Sequence, residues 1–266
     1  MTSVMMRKLN GLLRTENIGK VIHYYDEADS TNSVLAKLAE NGASEGTAVI
    51  ADTQTRGRGR LERKWISPPG VNLYISILLR PSMPPGESPL LTLLASIALV
   101  ETLKKTGVEK PVIKWPNDVQ IGGRKVAGVL TEMRSKGESV DFVILGIGVN
   151  INMTRAQINS EMREASRVAT SVKENLGKDI ERAKFTADML AEIEIWYKSF
   201  ARRGKPFILK EWTDRWGGQN RRVRVHTEDK NTYEGTAVGI DGDGHLLVKT
   251  DEENTVKVIA GDVTVI

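Results

Sequence analysis

The chain contains no cysteine, which excludes disulfides, thiolate nucleophiles and Cys-based zinc or iron-sulfur sites. Histidine is almost as scarce: His23, His226 and His245 are scattered, so a histidine-rich metal site has no raw material and no metal ligands are assigned. Long apolar runs are missing too. The most hydrophobic stretch, LLTLLASIALV at 90 to 100, is about half of the roughly 20 residues a membrane-spanning helix needs, and reads as a core helix. MTSVMMRKLNGLLRTENIGK at the N-terminus lacks an apolar block followed by a small-residue cleavage site. A cytoplasmic protein with no membrane partner is expected.

What is present is ordinary for a globular protein. Of 266 residues, 40% are apolar and 27% charged, enough for one large domain and a smaller one. A net charge of +4 spread over this length argues only weakly for phosphate or nucleic-acid partners.

Local patterns predict the elements. DST at 29 to 31 offers caps for a helix whose apolar face is Val34, Leu35, Leu38 and Ala39 and which stops at Gly42. TAVIADTQ (47 to 54) and VNLYISILLRP (71 to 81) read as strands, the second with alternation. Ser88 and Pro89 open a helix that Gly107 closes. Gly122-Gly123 makes a hairpin turn before KVAGVLTEM, and VDFVILGIGVNIN (140 to 152) is a further strand. Residues 153 to 182 read as loop with short helix, and a helix bearing Phe185, Met189, Ile193, Trp196 and Phe200 ends at Gly204. Short strands separated by DKN, DGDG and DEEN then predict a small all-β barrel. The sum is an α+β protein: a mixed, largely antiparallel sheet with flanking helices, divided as a 1–21 extension, a 22–216 domain and a 217–266 β domain.

Four segments carry candidate chemistry. QTRGRGRLERKW (54 to 65) crowds five cations around two glycines, a pattern that fits either a disordered RNA-binding tract or a loop that orders around a phosphate. Its position between two strands, with Trp65 and SPPG anchoring its far end, favours the loop. KWPND (114 to 118) and GRKVAG bring Lys114 and Lys125 onto adjoining strands, and Asn117 suits a base edge. Asp118 alone reads equally well as a turn cap. GIGVNIN (146 to 152) has glycines within a strand, which fits tight packing as well as close approach of a ligand. DSTN (29 to 32) is a helix start that can also grip a polar head group.

In this order and spacing the four segments, with ATSV (169 to 172) and EGTAVGID in the β tail, resemble the biotin protein ligases over roughly residues 22 to 266. The family's loop has the form GRGRxGRxW; here Glu62 stands where its second glycine is expected. The resemblance implies a class II aminoacyl-tRNA synthetase-like catalytic domain with an SH3-like C-terminal domain. It implies activation of biotin by MgATP to biotinyl-5′-AMP and transfer to a lysine of a biotin carboxyl carrier domain.

Carried over by position, Ser30, Thr31, Asn32 and Gln54 would hold the ureido ring, while Gly128, Gly146 and Gly148 would leave room for the ligand. Arg58, Gly59 and Arg60 would wrap carboxylate and phosphates, with Arg63 and Trp65 closing over the adenylate. Lys125 would bridge carboxylate and α-phosphate, Lys114 would add a phosphate contact, and Asn117 and Asn150 would meet the adenylate. Asp118 would orient or deprotonate the incoming lysine. The loop is expected to be mobile until a ligand neutralises its like charges. A lipoate or octanoate ligase or transferase of the same fold is the nearest alternative, and a nucleic-acid binding module a more distant one. About 20 residues ahead of the catalytic unit are too few for a helix-turn-helix domain, so no DNA role is expected; a homodimer through a sheet edge stays open.

Overall fold

The structure is a computed structural model that describes residues 4–227 and 231–266; the DKN turn expected at 229 to 231 lies largely outside them. β-Branched and leucine-rich segments form a sheet of seven strands: β1 (Ile22–Ala28), β2 (Ala48–Gln54), β3 (Leu73–Leu79), β4 (Pro111–Lys114), β5 (Asp118–Ile121), β6 (Arg124–Lys136) and β7 (Ser139–Val149). They lie in the order β1-β2-β3-β7-β6-β5-β4. Only β1 and β2 run parallel, and the other neighbours are antiparallel, as hairpin-linked strands require.

Helices cover both faces. α3 (Pro89–Thr106) packs on β4 and β6 and on two later helices, α6 (Arg182–Arg203) and α7 (Lys205–Thr213). Gly107, at φ 105°, ends α3 in the left-handed conformation that glycine alone adopts cheaply. The apolar segment Pro85–Thr106 is longer than the sequence run suggests and would by length and composition cross a membrane, but 67% of its most apolar window is buried in the core. α2 (Thr31–Glu40) covers the opposite face, where Leu35 and Ala39 meet Val49, Leu78, Phe142 and Ile144.

The alternation expected for β3 is not a wet-dry alternation. All seven of its residues are buried, because helices cover both sides of this central strand. Leu73, Ile75, Ile77 and Leu79 enter the core beneath α3, and Leu78 enters the one beneath α2. Two helices were not legible in the sequence. α1 (Val4–Leu12) docks Met6 and Leu9 against α6, and α7 follows Gly204 at once with Pro206 in its first turn.

The C-terminal strands β8 (Arg222–Thr227), β9 (Thr232–Ile240), β10 (Leu246–Thr250), β11 (Thr255–Val258) and β12 (Gly261–Val265) form a separate antiparallel sheet in the order β11-β10-β9-β8-β12. It meets the larger unit through the Trp115 indole N–H, which donates to the Gly244 carbonyl at 2.9 Å, and through Lys205 and Asp243 at 2.7 Å.

One buried carboxylate ties the N-terminal segment to α6. Glu194 accepts the backbone N–H groups of Glu16, Asn17 and Ile18 at 2.8, 2.6 and 3.0 Å. Burial works to raise its pKa, but these donors and Lys198 outweigh it and hold the carboxyl below its ordinary 4.5. A depressed folded-state pKa stabilises the fold above the ordinary value and ceases to do so as pH falls through the folded value. Glu194→Gln is therefore expected to lose about 1–3 kcal/mol at pH 7. In denaturant titrations this deficit should shrink as the pH drops below 4.5; a deficit independent of pH would contradict the assignment.

Candidate active site

On the sheet face that α2 covers, three glycines strip side chains from adjoining strands. Gly128 of β6 pairs directly with Gly148 of β7, and Gly146 lies two residues away on the same face. A cavity of about 330 Å³ opens over this floor. The N-terminus of α2 borders it with Ser30, Thr31 and Asn32; the end of β2 contributes Gln54; and the basic loop contributes Arg58, Gly59, Arg60, Arg63 and Trp65. Lys114, Asn117, Asp118, Lys125 and Asn150 line the remaining walls. All the residues singled out in the sequence thus border one space.

The glycines do not simply leave room. A β-carbon on Gly146 would lie 2.2 Å from Asn32 Oδ1, and one on Gly148 would lie 2.4 Å from the Trp65 ring. One on Gly128 would stand 3.1 Å from Lys125 Cε and 3.2 Å from the same tryptophan. They admit Asn32, Trp65 and Lys125 to the floor, the close packing that the sequence left open beside approach of a ligand.

Ser30 precedes α2 as its N-cap but makes no capping hydrogen bond with its side chain, although it is buried. Thr31 N–H and hydroxyl both donate to Gln54 Oε1, at 2.9 and 3.2 Å. The helix start is held by β2 instead of by a cap.

Lys125 Nζ sits 2.6 Å from Asp118 Oδ1 and 5.2 Å from the centre of the Trp65 ring. Asp118 therefore holds Lys125 at the edge of the cavity. The strand hairpin around the positive-φ pair Gly122-Gly123 makes this possible, since Gln120 and Lys125 are register partners. Lys125 is also fixed from the far side: its carbonyl accepts Thr170 N–H at 2.9 Å.

The 153 to 182 region, legible only as loop with short helix, supplies an unpredicted wall through Met162 at the end of α4 (Arg155–Met162) and through Ala165, Val168 and Ala169 beyond it. Glu174, on α5 (Val172–Leu176), pins it by accepting from Arg155 at 2.7 Å, Arg124 at 2.8 Å and Thr170 at 3.0 Å. Burial pushes the Glu174 carboxyl up, yet these donors prevail and lower it. Asn150 donates its amide to Thr170 O at 3.0 Å, while its own Oδ1 is buried with no partner among the described residues. Trp65 Nε1 is likewise buried without a partner there. Unpaired groups at a cavity wall are sites for ligand polar atoms.

The basic loop meets counter-charges of its own, unlike the expectation that only a ligand neutralises it. Arg58 donates to Glu132 at 2.8 Å and to Ser33 Oγ at 2.9 Å. Arg60 reaches the Gly261 carbonyl at 3.4 Å, and Arg63 pairs with Asp262 of β12. Asp262 and Glu132 carry no motif signal; only the fold brings them here. Glu62 has φ 56°, where the family pattern has glycine, and a side chain in that region costs on the order of 1 kcal/mol. Elsewhere, Asp241, Asp243 and His245 gather in one turn, but Lys257 and Lys205 neutralise the two carboxylates at 2.6 and 2.7 Å.

The mixed sheet carries a polar cavity rimmed by cations, an arrangement suited to an anionic ligand, and comparison with known proteins narrows the class. The Biotin/lipoate A/B protein ligase family matches residues 24–150, and the Biotin protein ligase C terminal domain matches residues 219–265. The bifunctional ligase/repressor BirA of Bacillus subtilis is 38% identical over 90% of this chain and 73% of its own length. The biotin-[acetyl-CoA-carboxylase] ligase of Paracoccus denitrificans is 30% identical over 83% of this chain and 91% of its own. The biotin protein ligase of Aquifex aeolicus, solved in complex with biotin and ATP, superposes with a TM-score of 0.75 at 32% identity, covering 92% of this chain and 98% of that one. The chain belongs to the biotin protein ligase family.

The glycine floor is directly testable. Gly146→Ala forces Asn32 from its seat and is expected to destabilise the protein by about 1–3 kcal/mol. Unfolding free energies of the two proteins measure this; equal values would show that Asn32 is not seated against Gly146.

Proposed function

We infer that the protein is an ATP-dependent ligase that converts biotin and ATP, taken as its Mg2+ complex, into biotinyl-5′-AMP and then biotinylates one lysine of a biotin carboxyl carrier domain. The observation that carries this reading is the meeting of Lys125, Asp118 and the arginine loop with Thr31, Asn32 and Gln54 around a single cavity. A ureido ring presents two N–H donors and one carbonyl, and the α2 end offers matching oxygens and amides. The acid chain of biotin then runs across the Gly128 and Gly148 floor toward Lys125.

In the first step the biotin carboxylate attacks the α-phosphate and pyrophosphate leaves. Lys125 Nζ stabilises charge that grows on the phosphate oxygens, and Arg58, Arg60 and Arg63 turn from their protein partners to the anion. Asn117 and Asn150 meet the adenine or its ribose, and Lys114 adds a cation to the phosphate. Trp65 shields the mixed anhydride from water. In the second step Asp118 orients the acceptor amine, whose ordinary pKa of about 10.4 leaves it mostly protonated, or takes its first proton; the free amine attacks the acyl carbon, AMP leaves as the acyl C–O bond breaks, and the second amine proton passes to solvent. Ser30 and Gly59 complete the biotin side of the pocket.

Residues 22–216 form the catalytic unit in this reading and residues 217–266 the second domain, with Asp262 supplying a counter-charge to the loop. The reaction belongs in the cytoplasm, where carboxylase carriers and ATP are found together. Lys125→Ala is expected to slow biotin-dependent pyrophosphate release by about 100-fold or more while binding of the carrier domain is retained. Unchanged release would remove Lys125 from the mechanism, and lipoate outcompeting biotin in the same assay would move the protein to the lipoate branch of the fold.

A further inference from the structure

Glu132, on β6, is absent from every motif above, yet it is the joint between two of them. Its Oε2 accepts Asn32 Nδ2–H at 2.8 Å, and its two oxygens accept from Arg58 Nη2 at 2.8 and 3.0 Å. From Asn32 the chain of polar contacts continues without a gap. Ser76 Oγ lies 2.6 Å from Asn32 Oδ1 and 2.8 Å from Thr31 Oγ1. Thr31 is bonded to Gln54 Oε1, Gln54 Nε2 donates to Ser67 Oγ at 3.1 Å, and Ser67 Oγ donates to Trp65 O at 3.1 Å. Both ends of the basic loop, Arg58 and Trp65, thereby close one circuit through the α2 start.

An ionised carboxylate only accepts. Asn32 must turn its NH2 to Glu132, so its Oδ1 faces Ser76, and the single Ser76 proton is committed to that oxygen. Ser76 is fully buried, so bulk solvent does not compete for its proton. The Thr31 hydroxyl donates to Gln54, which leaves its lone pairs, unclaimed by Ser76, as acceptors at the cavity wall.

Resting on the biotin reading, we propose that Glu132 is a positioning residue that sets the donor and acceptor polarity of the ureido subsite and couples it to the entry of the basic loop through Arg58. A neutral amide at this position places an NH2 against either Asn32 or Arg58. Against Asn32 it faces another donor, one that the Leu130 carbonyl also holds at 3.3 Å, and relief inverts Asn32, so that Ser76 donates to Thr31 and occupies one of its lone pairs. Against Arg58 it removes the counter-charge and frees the arginine from the start of α2.

The test is biotin affinity by calorimetry, together with the separate KM values for biotin and ATP in pyrophosphate release. Glu132→Gln is expected to weaken biotin binding about 10-fold or more, with the ATP KM within about 2-fold of the parent. Ser76→Ala, which breaks the same chain without touching charge, should show the same split, while Ser33→Ala, which removes only the second partner of Arg58, should not. Biotin binding within about 2-fold of the parent in both Glu132→Gln and Ser76→Ala, or equal weakening for biotin and ATP, would overturn the proposal. Failure of the unsubstituted protein to bind biotin at all would overturn the functional reading itself, and this inference with it.

Discussion

The site depends on a bare patch of sheet. β6 and β7 lie at the centre of the sheet, where large apolar side chains would be the stable choice, and at Gly128, Gly146 and Gly148 they carry none. The lost packing and the backbone freedom of glycine both cost stability. In exchange, Asn32 and Trp65 reach a surface that a β-carbon at Gly146 or Gly148 would deny them, and Lys125 lies closely over Gly128. The cavity, its polar chain and its cation all follow from this one exchange.

Charge is handled by pairing across elements that are far apart in sequence. The loop cations answer Glu132 and Asp262, Lys125 answers Asp118, and Glu174 gathers Arg124 and Arg155 behind the wall that supports Lys125. Pairs such as Arg58 with Glu132 are substantially exposed, so they stabilise little and exchange partners readily. Under the proposed reaction that suits a loop whose arginines pass from protein carboxylates to phosphate. The second domain reaches the loop through contacts of its own, by way of Gly261 and Asp262.

The strands, α3 and the Gly122-Gly123 turn were legible in the sequence because each is a local signal: β-branched runs, Pro89 with Gly107 at the helix ends, glycines at positive φ. The four site segments were legible because each breaks a local rule, by placing arginines among glycines or glycines within a strand. α1 and α7 were missed, since helices of nine residues are marginal by themselves and gain their stability from docking on α6 and α3. Glu132, Ser76, Asp262 and Glu174 left no local trace, because a strand acid or a buried serine acquires meaning only from what tertiary contact brings beside it. The glycines read equally as tight packing or as approach of a ligand, and which side chains lie against them became evident only from the folded sheet.

The central claim is that biotin and the reacting phosphate share the cavity above the three glycines. A crystal structure of the protein with biotin and ATP tests it most directly. The account predicts the ureido ring within hydrogen-bonding distance of Thr31, Asn32 and Gln54, and the acyl phosphate beside Lys125 Nζ. Biotin bound with its ring away from the start of α2, or a phosphate remote from Lys125, would contradict it.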